Sequence, residues 1–285
     1  MATVTITANS ATDFNAFIDT IGGGFDSSNR GHFQIGLFNH PSYGFQSGTN
    51  STAFVAEGAL TYNPIPGFPN SHVLEGTLNS LDLGTTLSAG TGTSYVMAKP
   101  TLATTQVEID NLGITGSGVG GPANAIVFGL ANGDASALET YLFNTSGNSI
   151  NFVGSSGADA IVAGIGNDVL AGGGGADTLS GGNGNDTITG GAGADRLTGG
   201  NGADTFVYTS AADSRPSTGV DTIVDFVTGT DKIDLGWAFT WVTGTPVSAG
   251  QVTYDAVADV LYGLSAAGTT FQISSANTIG QFDLI

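Results

Sequence analysis

Six aspartates recur at a spacing of nine residues: Asp159, Asp168, Asp177, Asp186, Asp195 and Asp204. Two residues before each stands a glycine. Two residues after each stands a large apolar residue: Ile161, Leu170, Leu179, Ile188, Leu197 and Phe206. A carboxylate is a hard oxygen donor of the kind calcium prefers. Glycines permit positive φ and let backbone carbonyls converge on an ion. A further glycine opens most of these units, at Gly154, Gly172, Gly181, Gly190 and Gly199, with Ala163 in that place in the second unit. The expected metal site residues are the six aspartates, these five glycines and Asp221, which completes the last site from beyond the array. A flexible glycine linker would not keep Asp and a bulky apolar residue in phase six times running.

The elements that position these residues follow from the period. Residues 154–207 divide into six nonapeptides, GSSGADAIV, AGIGNDVLA, GGGGADTLS, GGNGNDTIT, GGAGADRLT and GGNGADTFV. Six residues make a turn and three a short strand whose apolar residue points inward, and stacked coils bury those side chains in a narrow core. Two repeats make one coil. Asp159, Asp177 and Asp195 then stack on one edge, and Asp168, Asp186 and Asp204 on the other. The pattern matches GGxGxDxUx and resembles the RTX family of parallel β-rolls. The resemblance implies several calcium ions between successive turns and folding that awaits the ion.

Beyond residue 207 the glycines thin out. GVDTIVDF at 219–226 and GTDKIDL at 229–235 alternate acidic and apolar residues, as edge strands do. This segment resembles the cap of serralysin-type RTX proteins, which implies that it closes the open end of the roll. The last residues, FDLI at 282–285, resemble the uncleaved signal read by type I (ABC) exporters. An ordinary terminal strand is the alternative. The first ten residues, MATVTITANS, have no basic region and no apolar core, so no Sec-type signal is expected there.

Composition narrows the function classes. The 285-residue chain carries a formal net charge of −19, with Lys99, Lys232, Arg30, Arg196 and Arg215 as its fixed cations. It lacks the cations to release counterions from a phosphate backbone, so no nucleic acid is expected as partner. Anionic lipid surfaces should repel it. With 40% hydrophobic residues it is too apolar for a disordered chain. It has no cysteine, so packing or metals must supply the stability that disulfides supply elsewhere. No stretch approaches the length of a membrane span.

Residues 1–150 have a different texture. Val4 and Ile6 alternate with threonines as in a strand. Ser10 caps an expected helix at 11–21, with Phe14, Phe17, Ile18 and Ile21 on one face, stopped by Gly22 to Gly24. Strand-like runs follow at 33–38, 52–62, 72–87 and 94–98. Pro122 opens a second helix carrying Ala123, Ile126, Val127 and Leu130, and Asp134 caps a third at 135–143. An antiparallel sheet with helices on one face is the natural assembly. The expected fold class is therefore an α+β N-terminal domain (1–150), a parallel β-roll (151–212) and a β-rich C-terminal cap with the secretion signal (213–285).

Three runs here, AFVAEGALTY at 53–62, HVLEGTLNSL at 72–81 and IVFGLANGDASALET at 126–140, resemble the HasA-type haemophores. The resemblance implies haem bound by Tyr62, with His72 hydrogen-bonded to that Tyr. A phenolate is a strong oxygen ligand for ferric iron, and a nearby imidazole lowers the cost of ionising the phenol. The residues between, 63–71, read as a loop whose Ile65 and Phe68 cover the porphyrin. The family's distal ligand is a His after the first helix. His32 is the candidate, while His40, before Pro41, reads as surface.

There is no HExxH zinc motif and no GxSxG elbow, so no enzyme is expected. Two readings remain. One is a secreted haem-binding protein exported by a type I system, delivering haem to an outer-membrane receptor. The other is a calcium-dependent, self-associating structural protein of the cell surface or matrix with no haem function.

Overall fold

The computed structural model describes residues 2–9, 42–46, 52–65, 68–88, 101–110, 112, 114–116, 121–131, 135–145 and 148–285, less 244–247, 249, 257, 259 and 265–269. The chain forms two compact units. One is Met1–Asn9 with Asn15–Thr145, the other Ser10–Phe14 with Ser146–Ile285. Among the described residues strands predominate, many of them parallel, and helices are few. The expected helix at 11–21, the runs 33–38 and 94–98, His32 and His40 lie outside the described residues.

The first unit contains β1 (Ala2–Ala8), β2 (Ser42–Gln46), β3 (Thr52–Ile65), β4 (Phe68–Ser88), β5 (Thr101–Asp110) and β6 (Ile114–Gly116). The order β1-β5-β4-β3-β2 is antiparallel throughout, and β6 pairs with β4. Alternation in β1 buries Val4, Ile6 and Ala8. Helix α1 (Pro122–Ala131) buries Ala123, Ile126 and Val127, and α2 (Ser136–Phe143) buries Leu138 and Leu142. The Tyr141 hydroxyl donates to the Leu112 carbonyl at 2.6 Å, tying α2 to the segment before β6. The N-cap of α2 is Ala135, with no side-chain cap, and the expected cap Asp134 lies outside the described residues.

The expected loop at 63–71 is largely strand. The β3–β4 ladder runs from Thr52↔Thr85 to Ile65↔Phe68, leaving only Pro66 and Gly67 between the strands. Pairing satisfies backbone groups that a nine-residue loop would leave to water. The ladder slips between Pro64 and Ile65, where Pro64, lacking an N–H, cannot donate to it.

The second unit contains β7 (Asn148–Val153), β8 (Ala160–Ile165), β9 (Val169–Gly174), β10 (Thr178–Asn183), β11 (Thr187–Ala192), β12 (Arg196–Asn201) and β13 (Thr205–Val207). After the array come β14 (Asp221–Ile223), β15 (Lys232–Asp234), β16 (Thr240–Trp241), β17 (Gln251–Asp255), β18 (Val260–Leu264) and β19 (Thr270–Ser275). Odd and even strands form two parallel stacks, β7-β9-β11-β13-β15 and β8-β10-β12-β14. The register sets Leu179 beside Ile161 and Leu197, and Ile188 beside Leu170 and Phe206. Ile161, Leu179, Leu197 and Ile223 thus line one wall, and Phe152, Leu170, Ile188, Phe206 and Ile233 the other, each at most 2% exposed. Each such side chain contributes about 1.5–3 kcal/mol by leaving water.

GVDTIVDF was expected as an edge strand. Instead β14 lies inside its sheet, between β12 and β19, because its Asp-x-apolar pattern extends the roll by one more rung. Beyond it β17, β18 and β19 form an antiparallel meander. Trp237 packs edge-on against Phe271, with ring centroids 5.4 Å apart. The last residues are also a rung. Leu284 bridges Ile233, and the Ile285 N–H donates to the Ile233 carbonyl at 3.0 Å. Asp283 is buried, accepts from the N–H groups of Gly280 (2.8 Å) and Gly229 (2.9 Å), and pairs with Lys232 at 3.3 Å.

Candidate metal sites

The glycines of the array serve two distinct purposes. From Gly166 to Gly202, those at the second and fourth places of a repeat have positive φ and leave no room for a side chain. At Gly184 (φ 138°) a Cβ would lie 1.5 Å from the Gly166 carbonyl oxygen. The first glycine of a repeat is small for another reason. A Cβ on Gly181 would lie 2.0 Å from Asp186 Oδ2, and the distances are 2.2, 2.3 and 2.3 Å for Gly172 with Asp177, Gly190 with Asp195 and Gly199 with Asp204. Each carboxylate folds back over the glycine that opens its own repeat. Gly154 differs, since its Cβ would meet the Gly172 carbonyl oxygen at 2.1 Å.

One oxygen of each carboxylate is committed to the scaffold. The Asp159 N–H donates to Asp177 Oδ1 at 2.8 Å, Asp168 to Asp186 at 2.8 Å, Asp177 to Asp195 at 2.9 Å and Asp186 to Asp204 at 2.9 Å. The cap continues both columns, with Asp195 donating to Asp221 Oδ1 (2.9 Å) and Asp204 to Asp231 Oδ1 (3.0 Å). The other oxygen is idle. Oδ2 of Asp168, Asp177, Asp186, Asp195, Asp204 and Asp221 is buried without a hydrogen-bond partner. The column ends are different. Asp159 Oδ2 accepts from the Ser155 N–H (2.7 Å) and hydroxyl (2.9 Å), and Asp231 Oδ2 from the Val227 N–H (2.8 Å).

The electrostatics follow from this burial. Desolvation, with neighbouring carboxylates adding to it, pushes Asp177 and Asp186 up to about 7 and Asp221 up to about 8. Desolvation likewise raises Asp168, Asp195 and Asp204. A buried carboxylate oxygen with no donor is costly, and five of them nine residues apart, with Asp221 beyond, fit a hard divalent cation. Among the described residues no three His, Cys, Asp or Glu side chains group into one metal site. Calcium held by these aspartates would therefore draw most of its oxygens from the carbonyls of the glycine turns and from water.

Three features escaped the reading of the glycine and aspartate pattern. Asp231 ends the second column, and its Gly229-x-Asp231-x-Ile233 spacing is the array's own signal in diluted form. Asp225 accepts from the N–H groups of Gly199 (2.9 Å) and Gly200 (2.8 Å), covering the last glycine turn. Ahead of the array, the Ile150 N–H donates to Asp168 Oδ1 at 2.7 Å and Phe152 joins the core wall, although neither glycine nor aspartate marks them.

In the first unit Tyr62 pairs with Leu74 and His72 with Pro64, so the two residues occupy diagonal register positions on β3 and β4.

The array matches the family described as RTX calcium-binding nonapeptide repeat (4 copies), over residues 153–188, 171–206 and 180–213. Over 121 residues, 42% of this chain, the sequence is 35% identical to hemophore HasA of Serratia marcescens, and the chain spans 62% of that relative's length. Apo hemophore HasA of Yersinia pestis aligns with a TM-score of 0.41 at 20% identity, over 49% of this chain and 87% of that one. The AlgE6R3 subunit of the Azotobacter vinelandii mannuronan C5-epimerase aligns with a TM-score of 0.38 at 32% identity, over 47% and 80%. The chain thus carries RTX calcium-binding repeats together with a region similar to hemophore HasA.

Proposed function

We propose that the protein is secreted, folds its C-terminal unit around calcium outside the cell, and binds haem through its N-terminal unit, with no enzymatic role. The observation that carries the calcium half is the row of buried, partnerless Oδ2 atoms. The haem half is supported by the similarity to hemophore HasA and by the diagonal placing of Tyr62 and His72. On this reading Tyr62 ligates the iron, His72 orients the phenol and His32 is the candidate distal ligand. The cap plays the serralysin-like part of closing the roll, the last residues are the type I exporter's signal, and an outer-membrane receptor takes the haem. Adding haem to the calcium-loaded protein should give a Soret band that Tyr62→Ala removes. An unchanged wild-type spectrum sinks the haem half alone.

A second reading is a calcium-dependent structural subunit of the cell surface or matrix. It is favoured by the apolar side chains left exposed at the cap, Phe282 at 87% and Ile285 at 58%. Electron microscopy should then show ordered assemblies with calcium and none after chelation. A monomer in both conditions removes this reading.

A further inference from the structure

The nonapeptide register runs one unit past the array. Residues 208–216 place Tyr208 where four of the repeats place a first glycine bearing a folded-back carboxylate, and Asp213 where every repeat places its aspartate. The ladder does not use Asp213. Its Oδ2 accepts from the Thr209 N–H (2.9 Å), the Thr209 hydroxyl (3.1 Å) and the Ser210 N–H (2.9 Å). Asp221 takes the rung instead, and its own N–H donates to Ser214 Oγ at 2.8 Å, with Ser214 donating onward to the Gln272 carbonyl.

This substitution leaves an unfinished site. Asp221 is 0% exposed, Asp195 2% and Tyr208 2%. The Tyr208 hydroxyl lies beside the Asp221 carboxylate, whose backbone-paired neighbour in the ladder is Asp195, and the buried Oδ2 atoms of both aspartates have no backbone or cationic donor. The other column closes on itself, because Asp231 gives its Oδ2 to the Val227 N–H. Two sealed carboxylates with a single phenol beside them are costly without a cation. A neutral hydroxyl can offer a lone pair to a cation while its proton goes to a carboxylate.

We propose that Asp195, Asp221 and the Tyr208 hydroxyl form a terminal divalent-cation site at the junction of roll and cap, with a phenol oxygen standing in for the glycine turn of the repeat sites. The site rests on the calcium reading above and goes beyond it in its ligand set. A cation there offsets two buried carboxylates and takes a lone pair from the phenol, whose proton stays with Asp221. It also makes the rung on which the cap is built, β14 on β12, depend on the ion.

The test uses the full chain, stripped of metal by a chelator and titrated with terbium(III), an ion with calcium's preference for oxygen ligands. Excitation in the tyrosine band lights only terbium held close to an aromatic ring. Equilibrium dialysis counts bound calcium, and circular dichroism follows the roll. Tyr208→Phe is expected to fold with calcium, bind one ion fewer and lose tyrosine-sensitised terbium emission. Asp221→Asn keeps an acceptor for the Asp195 N–H and is expected to lose the same ion. If Tyr208→Phe keeps wild-type stoichiometry and emission, the terminal site is overturned and the repeat sites stand. If Tyr208→Phe does not fold, an unchanged ion count in Asp221→Asn overturns the site equally. A wild-type chain that binds no calcium overturns this site and the calcium reading together.

Discussion

An array aspartate splits its carboxylate between two neighbours, one oxygen to the coil before it and one to the space over its own first glycine. Asp186 and Asp159 separate the two duties. Asp186 has an idle Oδ2, whereas Ser155 already occupies that oxygen of Asp159. Asp186→Asn keeps the ladder acceptor and removes only the charge. It should raise the calcium concentration at the folding midpoint by about tenfold, equivalent to about 1.4 kcal/mol. Asp159→Asn should move it much less. Calcium titrations followed by circular dichroism compare the two, and equal shifts would show that the idle oxygens do not mark the ions.

At the scale of the element, the roll without its ion is governed by protons. Asp177, Asp186 and Asp221 ionise near 4 in an unfolded chain but only near 7 to 8 when buried in the folded one. Between those values the folded state holds more protons than the unfolded state, so stability falls as pH rises. The stabilisation is complete below about pH 4 and gone by about pH 8. Chelator-treated protein should therefore melt at a higher temperature at pH 5 than at pH 8, and a melting temperature that holds level or climbs with pH contradicts this. The inward face and the period of the strands were legible from the repeat, because one apolar residue per nine fixes both, as Leu179 and Ile188 show, but β8 to β12 each run six residues where three were expected, because the glycines join the ladder. The β7 rung was not, because Ile150 enters the ladder through its backbone N–H, which every residue type except proline possesses. The extension of β3 and β4 through 63–65 and 68–71 was hidden by prolines such as Pro64, whose loop preference yielded to pairing with His72 on the partner strand. Tyr62 and His72 were singled out by family resemblance alone, since no local period marks them.

For the whole molecule, the calcium and haem halves of the proposal are tested separately: chelation should unfold the roll whether or not haem binds. The C-terminal rungs bear on how the roll is completed. In the aspartate ladder the donor is always the earlier coil and the acceptor the later one, through Asp221 and Asp231. The N–H of each such aspartate is thus satisfied by the next coil along the chain, while backbone N–H groups such as that of Thr178 donate back to the coil before. Removing residues 148–165 should leave the remaining coils able to fold with calcium, whereas removing residues 213–285 should strand the N–H groups of Asp195 and Asp204 and abolish folding at the same calcium concentration. Circular dichroism of the two truncations decides it, and equal tolerance would refute the asymmetry. The ladder gives the roll a direction of growth. A chain released carboxyl end first meets each carboxylate acceptor already in place and winds up coil by coil, while one released amino end first leaves each aspartate N–H waiting until the next coil emerges.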